Sequence, residues 1–385
     1  MTPPPSADRR VSRRLPEFPW DRLVEYADQA RAHPDGIVDL SVGTPVDPTP
    51  SVIREALAAA ADAPGYPLTI GRVELRSSCV DWLQRRFGVT GLDLDAVLPV
   101  IGSKELVASL PTHLGLGRDD LVLYPALAYP TYEVGARLAG ARGVATDSLT
   151  AVGPERVALV WVNSPSNPTG RVLPAEHLCK VVAWCRERGA LLVSDECYLE
   201  LGWEPDAGPI IEPITGPVSV LHPDVCGGDH SGILAIHSLS KRSNLAGYRC
   251  AFVAGDREVV AELLAVRKNL GLMMPGPQQV AMKAALDDDE HVAVQRERYA
   301  ARRTALLQAF TSAGFRIDHS QASLYLWATR GEPCWETVAG LAADGILVAP
   351  GEFYGPEGAE HVRVALTATD ERVEQAVRRL EASGG

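Results

Sequence analysis

The sequence has no uninterrupted apolar stretch of about 18 residues, so no transmembrane helix is expected. It has no excess of positive charge: 37 Lys and Arg residues stand against 49 Asp and Glu residues, for a formal net charge of -12. Because nucleic-acid-binding surfaces are basic, this balance argues against a nucleic-acid partner. The basic residues near the start are not followed by an apolar segment, so a secretory signal is not expected and the cytoplasm is the expected location.

None of the seven cysteines forms a CxxC pair, and their number is odd. These features disfavour both a zinc cluster and a disulfide scaffold, and free thiols in a reducing compartment are expected instead. The sequence also has no internal repeat. No metal site is therefore predicted.

The length of 385 residues is more than one hydrophobic core usually serves, which predicts about two domains. With 46% hydrophobic and 22% charged residues, the composition is that of an ordinary globular protein. From about residue 96, short apolar runs such as DLVLYP, VALVWVNSP and ALLVSDE alternate with helical stretches. Such alternation is typical of βαβ units and predicts an α/β fold with a mostly parallel sheet.

The pattern divides the chain into four segments. We expect a disordered tail at 1–14, an N-terminal segment at 15–45 that joins the small domain, a large domain at 46–275, and a linking helix with the C-terminal small domain at 276–385. The linking helix is predicted to run unbroken from Pro277 to about Ala313, with a charged middle that is typical of a solvated face. Ser51 is predicted to cap the helix that follows it.

A lysine with unusual neighbours follows an apolar strand in the segment HSLSKRSNLAGYR. Lys241 is flanked by small polar residues, with Ser238 before it and Arg249 after it. Most loop lysines are simply solvated. A lysine that forms a Schiff base with pyridoxal 5′-phosphate (PLP), however, needs a lowered pKa, and hydroxyl groups and an arginine nearby suit the phosphate of that cofactor.

Asp195 ends the apolar run of ALLVSDECY and is expected at the carboxyl end of a strand, where open α/β sheets bind ligands. PLP withdraws electrons well only while its ring nitrogen stays protonated, and an Asp is the usual partner of that nitrogen. Tyr198 follows closely and is a candidate partner of the ring's phenolic oxygen. The alternative is a helix-capping Asp beside a core Tyr.

Two further segments place polar groups after strands. In VWVNSPSNPTG a strand leads into a turn, from which Asn167 is the candidate donor to the phenolic oxygen. In VIGSKELV a strand passes through a glycine into a helix that begins near Ser103. Because helix starts bind phosphate through free backbone N–H groups, Ser103 and Lys104 are candidates for a phosphate site.

The segments GSKE, LAYPTY, NPTG, SDECY, SLSK and RVAL occur in this order and at compatible spacing. Together they resemble the class I/II aminotransferases of fold type I, from about residue 15 to the end of the chain. More narrowly, FPWDRL, DGIVDLSVGTPVDPTP, PGYP, SDECYLELGW and LYLWATRGE resemble the succinyldiaminopimelate transaminases of actinobacteria. The implied fold is a large domain with a mostly parallel seven-stranded sheet flanked by helices, plus a smaller α+β domain.

The resemblance implies a role for each matching residue. Lys241 is the Schiff-base lysine and proton carrier, Asp195 the partner of the pyridine nitrogen, and Tyr129 the ring stacked on the pyridine. The other implied roles are the phenolic-oxygen pair Asn167 and Tyr198, the phosphate ligands Ser103, Lys104, Ser238 and Arg249, the substrate contacts Gly43, Asn167 and Arg363, and Tyr66, which reaches the phosphate of a neighbouring subunit. A homodimer with shared active sites is therefore implied.

The implied reaction is a PLP-dependent, ping-pong amino transfer between N-succinyl-LL-2,6-diaminopimelate and 2-oxoglutarate, in lysine and diaminopimelate biosynthesis. The same fold and cofactor also suit an aspartate, alanine or aromatic aminotransferase, or a carbon–sulfur lyase. A transcription regulator with an aminotransferase-like domain is disfavoured, because only a short Pro- and Arg-rich segment precedes Trp20. The partner of the distal carboxylate stays open among Arg72, Arg171 and Lys268, and Arg242 is expected to be a surface charge.

Overall fold

The computed structural model describes residues 11–203 and 216–383. The α-helices in these ranges are α1 Val24–Arg31, α2 Ser51–Ala59, α3 Val73–Phe87, α4 Ser103–His113, α5 Thr131–Ala139, α6 Ala175–Arg188, α7 Pro223–Cys226, α8 Leu239–Arg242, α9 Arg257–Leu270, α10 Gly276–Asp287, α11 Glu290–Ser312, α12 Cys334–Ala343 and α13 Asp370–Ser383. The strands are β1 Val38–Asp39, β2 Val97–Val100, β3 Leu121–Tyr124, β4 Arg142–Ala145, β5 Val157–Asn163, β6 Leu191–Asp195, β7 Ile233–Ser238, β8 Ala251–Gly255, β9 Arg316–His319, β10 Tyr325–Thr329, β11 Ile346–Leu347, β12 Ala349–Pro350 and β13 Val362–Ala365.

A seven-stranded sheet with the order β2-β8-β7-β6-β5-β3-β4 forms the centre of the molecule. Only β8 runs antiparallel to its neighbours in this sheet, and the remaining pairs are parallel. The strands β2, β3, β7 and β8 are buried along their whole length, as expected for a sheet that is covered by helices on both faces. The predicted α/β fold with a mostly parallel sheet is confirmed.

Two apolar layers cover the central sheet. Along β5, Val160 and Val162 pack into the layer that contains α3 and α6, whereas Leu159 and Trp161 pack into the layer that contains α4 and α5. This division follows from the two-residue period of a strand, which sends successive side chains to opposite faces. The apolar runs of the sequence are continuous for the same reason.

A smaller antiparallel sheet with the order β12-β13-β10-β9 has its own apolar core. Leu23 and Ala27, from the start of the chain, belong to that core, and β1 pairs in parallel with β11. The first helix and strand therefore pack with the last third of the chain. The boundaries proposed at 45/46 and 275/276 stay predictions; residues 1–10 of the expected tail lie outside the described residues, and Val11–Arg14 form a 3-10 helix.

The predicted linking helix is two helices, α10 and α11, which meet at Asp288. Asp288 has an extended backbone, and its carboxylate accepts from Glu290 N at 2.9 Å and lies 2.9 Å from the ring of His291. Asp side chains offer such local hydrogen bonds in competition with the helix, which explains the break. The predicted cap is also different, because Pro50 holds the N-cap position of α2 and Ser51 is its first helical residue.

Among the described residues, the helices are too short or too polar to cross a membrane.

Candidate active site

A cavity of about 530 Å³ opens at the carboxyl ends of β5, β6 and β7, the edge at which open α/β sheets bind ligands. Side chains from the small sheet close its other side. Of the residues predicted from the sequence, the cavity brings together Gly43, Ser103, Lys104, Tyr129, Asn167, Asp195, Tyr198, Ser238, Lys241, Arg249 and Arg363.

Lys241 lies on the short helix α8, directly after β7, and its Nζ donates to the carbonyl oxygen of Gly43. Burial lowers the pKa of Lys241, while nearby Tyr325 raises it and the positive charge of Arg363 lowers it further. A lysine needs a neutral amine to attack a carbonyl group or to accept a proton from carbon. The surroundings of Lys241 therefore favour nucleophilic and general-base chemistry.

Asp195 is the last residue of β6 and is buried, with 6% of its surface exposed. Burial raises the pKa of its carboxyl group, while hydrogen bonds from Cys197 and Tyr132 lower it. The Tyr132 hydroxyl donates to Oδ2 at 2.8 Å, and the backbone N–H of Cys197 donates to Oδ1 at 3.2 Å. No cation is paired with Asp195 within 11–203 and 216–383, so the carboxylate is ready for a positively charged ligand atom.

The start of α4 forms one wall of the cavity together with two cationic side chains. Its N-cap residue, Gly102, has φ of +103°, and a Cβ atom there would collide with the guanidinium of Arg249. Burial and the charge of Arg249 both lower the pKa of Lys104, and neither cation is paired with a carboxylate in the described part of the chain. Two unpaired cations at a helix start make a site for an anion.

Hydroxyl groups complete this wall. Ser238 Oγ donates to Ser240 Oγ at 3.0 Å and accepts from the backbone N–H of Ser240 at 3.2 Å. Both serines are buried and line the cavity next to Lys241. Hydroxyls beside cations and a helix start are the groups that bind a phosphate.

Arg363 reaches the cavity from β13 and is 3% exposed. Its guanidinium donates to Asn167 Oδ1 at 2.8 Å and to Ser41 O at 2.6 Å, and it lies 4.0 Å from the centre of the Tyr325 ring. Its Nε has no partner among the described residues. A planar guanidinium with donors to spare is suited to a carboxylate.

Aromatic rings shape the remaining walls. The hydroxyl groups of Tyr198 and Tyr325 lie 2.9 Å apart, and burial raises the pKa of Tyr198. Burial also raises the pKa of Tyr129 to about 12, so its ring stays neutral. Phe18 and Trp20, which precede α1, also line the cavity.

Several predicted positions lie away from the cavity. Tyr66 is 98% exposed and does not line it. None of Arg72, Arg171 and Lys268 lines it either; Arg171 borders a separate cavity of about 420 Å³. The expectation of a surface charge at Arg242 is wrong, because this side chain is 4% exposed and forms an ion pair with Glu200.

Sequence reasoning missed several residues of the site. Tyr132 and Cys197 bind the carboxylate of Asp195, and Asn163 anchors the next loop, since its Oδ1 accepts from Asn167 N at 2.7 Å and its Nδ2 donates to Asp195 O at 2.9 Å. Tyr325 has the sequence pattern of a core residue in an apolar strand. The position of Asn163 at the end of an apolar run, which is the signal that identified Asp195, could have found Asn163.

These groups fit PLP. The buried amine of Lys241 suits its aldehyde, the unpaired carboxylate of Asp195 suits its ring nitrogen, and the unpaired cations at the start of α4 suit its phosphate. Fold and site together thus define a PLP enzyme of fold type I.

The chain belongs to the family described as "Aminotransferase class I and II", which it matches over residues 35–380. PLP is therefore its cofactor and small amino and keto acids are its substrates. It is 65% identical to the "probable aminotransferase Rv1178" of Mycobacterium tuberculosis, over 96% of this chain and 86% of that protein. It is 57% identical to the 4-dedimethylamino-4-oxo-anhydrotetracycline transaminase OxyQ of Streptomyces rimosus, over 96% of this chain and 99% of that protein. An aminotransferase structure from Neisseria meningitidis matches with a TM-score of 0.85 and 32% identity, over 97% of this chain and 98% of that one.

Proposed function

We propose that this aminotransferase acts on N-succinyl-LL-2,6-diaminopimelate and its keto-acid form, with glutamate and 2-oxoglutarate as the second pair, in lysine and diaminopimelate biosynthesis in the cytoplasm. The observation that carries the amino-transfer chemistry is the meeting of Lys241, Asp195 and Arg363 in one cavity. Support for the substrate comes from relatives: an LL-diaminopimelate aminotransferase of Gloeobacter violaceus is 33% identical, and a structure titled "probable N-succinyldiaminopimelate aminotransferase" from Thermus thermophilus has a TM-score of 0.83 at 28% identity.

In this proposal each wall has one task. Ser103, Lys104, Ser238 and Arg249 hold the cofactor phosphate, Asn167 and Tyr198 its phenolic oxygen, and Tyr129 its ring face. Asp195 keeps the ring nitrogen protonated. When bound, PLP supplies an aldehyde that condenses with amines and a ring that withdraws electrons from the bonds at the α-carbon.

The residues of the chain then bind the substrate and move its proton. Arg363 holds the α-carboxylate beside Gly43, which places the α-hydrogen within the cavity that contains Lys241. Once neutral, the amine of Lys241 accepts this proton at Nζ. It then donates the proton to a carbon other than the α-carbon, so Lys241 acts first as a general base and then as a general acid. Its lowered pKa favours the neutral amine that the first of these steps requires.

A second candidate substrate is a polycyclic ketone. The name of the Streptomyces rimosus relative states such a substrate for that protein. The aromatic rings of Phe18 and Trp20 line the cavity of this chain and would offer flat apolar surface to a planar molecule. An aspartate, alanine or aromatic aminotransferase, or a carbon–sulfur lyase, stays an alternative with the same cofactor.

We also infer a homodimer in which Tyr66 reaches the phosphate of the neighbouring subunit. One short stretch of the chain carries three exposed large side chains: Tyr66 is 98% exposed, Leu68 69% and Val73 55%. Large apolar side chains exposed together mark protein interfaces. A second copy of the chain is the partner that the proposal assigns to them.

The test is an absorbance spectrum of the PLP-loaded protein before and after addition of glutamate. We expect the band of the lysine-bound cofactor, and its conversion to the band of the aminated cofactor. Lys241→Ala should abolish the first band, whereas the control Lys268→Ala, on an exposed part of α9, should keep it. An unchanged spectrum of Lys241→Ala would refute the assignment.

The substrate is then decided by the acceptors that restore the original band. N-succinyl-2-amino-6-oxopimelate should restore it at the lowest concentration, compared with oxaloacetate, pyruvate, an aromatic keto acid and a tetracyclic ketone. A preference for the tetracyclic ketone would replace the proposed substrate, and turnover without any amino transfer would point to the lyase.

A further inference from the structure

Two buried polar side chains lie directly behind the candidate active site. Glu196 follows Asp195 at the end of β6, and His237 precedes Ser238 on β7. Glu196 Oε2 lies 3.5 Å from His237 Nε2, and the two side chains are 0% and 2% exposed. The backbone N–H of Glu196 also donates to Ile236 O at 2.9 Å, so the pair spans the junction of the two strands.

The surroundings of this pair are largely aromatic, although the hydroxyl groups of Ser194 and Ser219 also interact with the carboxyl group of Glu196. The ring of His237 packs against the rings of Trp82 and Phe252, whose centres lie 5.2 and 4.9 Å away. Glu196 Oε1 accepts from Val220 N at 2.7 Å, but Glu196 Oε2 and both nitrogens of His237 have no hydrogen-bond partner in the described ranges. Because an unpaired buried polar group is costly, a proton between Glu196 and His237 is the arrangement that satisfies both.

The neighbouring charges and the burial decide where that proton resides. Burial raises the pKa of Glu196 to about 7, against hydrogen bonds that lower it, and the charge of Asp195 raises it further. Burial lowers the pKa of His237 to about 3. The nearby Arg242 is engaged by Glu200, so it does not neutralise Glu196. Below a pH of about 7 the pair therefore keeps one proton and no net charge.

We propose that Glu196 and His237 share one proton and act as a positioning pair for Asp195 and Lys241. This inference rests on the proposed function of those two residues. Glu196 directly follows Asp195, the last residue of β6, and His237 lies on β7 just before the short helix α8 that carries Lys241, so the pair lies between the two chain segments that hold these side chains. While it is neutral, the negative charge in this buried layer stays on Asp195, where it faces the cofactor nitrogen.

The test is a pH titration of the PLP-loaded protein, in which the band of the lysine-bound cofactor, kcat and KM are followed from about pH 5 to about pH 9. Glu196→Gln keeps the size of the side chain and the acceptor for Val220 N. It removes a carboxylate that gains charge as the pH rises and that stabilises a protonated cofactor. We expect the titration midpoint to move to lower pH by roughly half a unit, and the pH dependence of kcat to move with it. Below about pH 6, kcat and KM should stay close to those of the unmodified protein, because Gln is neutral, as the protonated pair is.

Control and companion variants make the outcomes decisive. Glu176→Gln, the same chemical change on exposed α6, should move neither the midpoint nor kcat. His237→Gln should move the midpoint in the opposite direction, because a carboxyl group that loses the acceptor of its proton ionises at lower pH, and the double variant should match Glu196→Gln alone. An unchanged midpoint in Glu196→Gln overturns the proposal. If that variant does not fold, an unchanged midpoint in His237→Gln overturns it instead. Additive effects of the two substitutions overturn it as well. A missing band in the unmodified, PLP-loaded protein would instead refute the proposed function and this inference with it.

Discussion

Arg363 is held in place before any substrate binds. The guanidinium of Arg363 donates hydrogen bonds to Asn167 and to the backbone of Ser41, and it lies over the ring of Tyr325. These contacts fix the plane of the guanidinium. Little side-chain entropy is then left to lose when a carboxylate binds, which favours affinity. The same contacts connect the substrate arginine to Asn167, which the proposed function places on the cofactor.

Replacing Arg363 by Lys should weaken substrate binding and leave the cofactor in place. Lysine keeps the charge but cannot form paired hydrogen bonds to a carboxylate. We expect kcat/KM for glutamate to fall roughly 10- to 100-fold, since a hydrogen bond to a charged group contributes about 1.5–3 kcal/mol. Steady-state kinetics measure this, with Arg330→Lys as a surface control. Equal kcat/KM in both variants would contradict the assignment.

Gly102→Ala should release the cofactor. The residue has φ of +103°, a region costly for alanine, and the new methyl group would displace Arg249 from the start of α4. We expect the dissociation constant for PLP to rise about 10-fold or more, because the displaced Arg249 would lose a hydrogen bond to a charged group, which contributes about 1.5–3 kcal/mol. Fluorescence titration of the apoprotein measures it. Gly117→Ala, which has open space around it, should bind PLP normally.

The residues found from the sequence share one property: each stands at the end of an apolar run or in a short motif of unusual composition. Lys241 and Asp195 are of this kind. Tyr132 and Tyr325 are not, because an aromatic residue in an apolar helix or strand has the pattern of a core residue. The burial of Arg242 was not predicted for a related reason. Its partner Glu200 is distant in the sequence, and a charged residue between polar neighbours gives no local sign of burial.

At the scale of elements, a buried carboxyl group at the junction of β6 and β7, that of Glu196, makes the free energy of unfolding depend on pH. Glu196 has a folded pKa of about 7, above the value of 4.5 for an exposed Glu. The folded state thus binds this proton more tightly than the unfolded state, so the contribution is present below pH 4.5 and is lost as the pH rises to about 7.

Glu196→Gln should therefore be more stable than the unmodified protein at alkaline pH. The gain in the free energy of unfolding should be at most about 3 kcal/mol at pH 8, since one pKa unit corresponds to about 1.4 kcal/mol, and should vanish near pH 4. Urea unfolding of the apoprotein at both pH values measures it. A gain that does not depend on pH would argue against a buried, titrating Glu196.

The sequence predicted the elements that have a continuous apolar pattern. It did not predict those whose limits depend on side-chain hydrogen bonds or on partial exposure. The buried strands β5, β6 and β7 follow from their continuous apolar residues. The break between α10 and α11 depends on the side-chain hydrogen bonds of Asp288, and an unbroken charged helix was expected instead. Strand β4 was not predicted, because as an edge strand it is partly exposed and carries no apolar run.

At the scale of the whole molecule, the site is assembled from both ends of the chain. Gly43 and Arg363 are separated by most of the sequence, yet Ser41 O accepts a hydrogen bond from Arg363, and β1 pairs with β11. No short-range pattern predicts such contacts; the family resemblance implied only that Gly43 and Arg363 share the substrate site, because it extended along nearly the entire chain.

A substitution in the proposed dimer surface should dissociate the subunits. Leu68→Asp places a charge on an exposed apolar residue next to Tyr66, and we expect a shift from dimer to monomer together with loss of bound PLP. Light scattering and absorbance measure the two effects. Val294→Asp, at an exposed valine on α11, is the control and should stay dimeric. A dimeric, PLP-bound Leu68→Asp would refute the proposed surface.

The contact between Ser41 and Arg363 has a consequence for biosynthesis. A ribosome makes the first of these residues early and the second almost last, so a nascent chain with a finished central sheet still has no substrate site. Truncation before β13 should then leave a chain without Arg363 and without the hydrogen bond that joins its two ends.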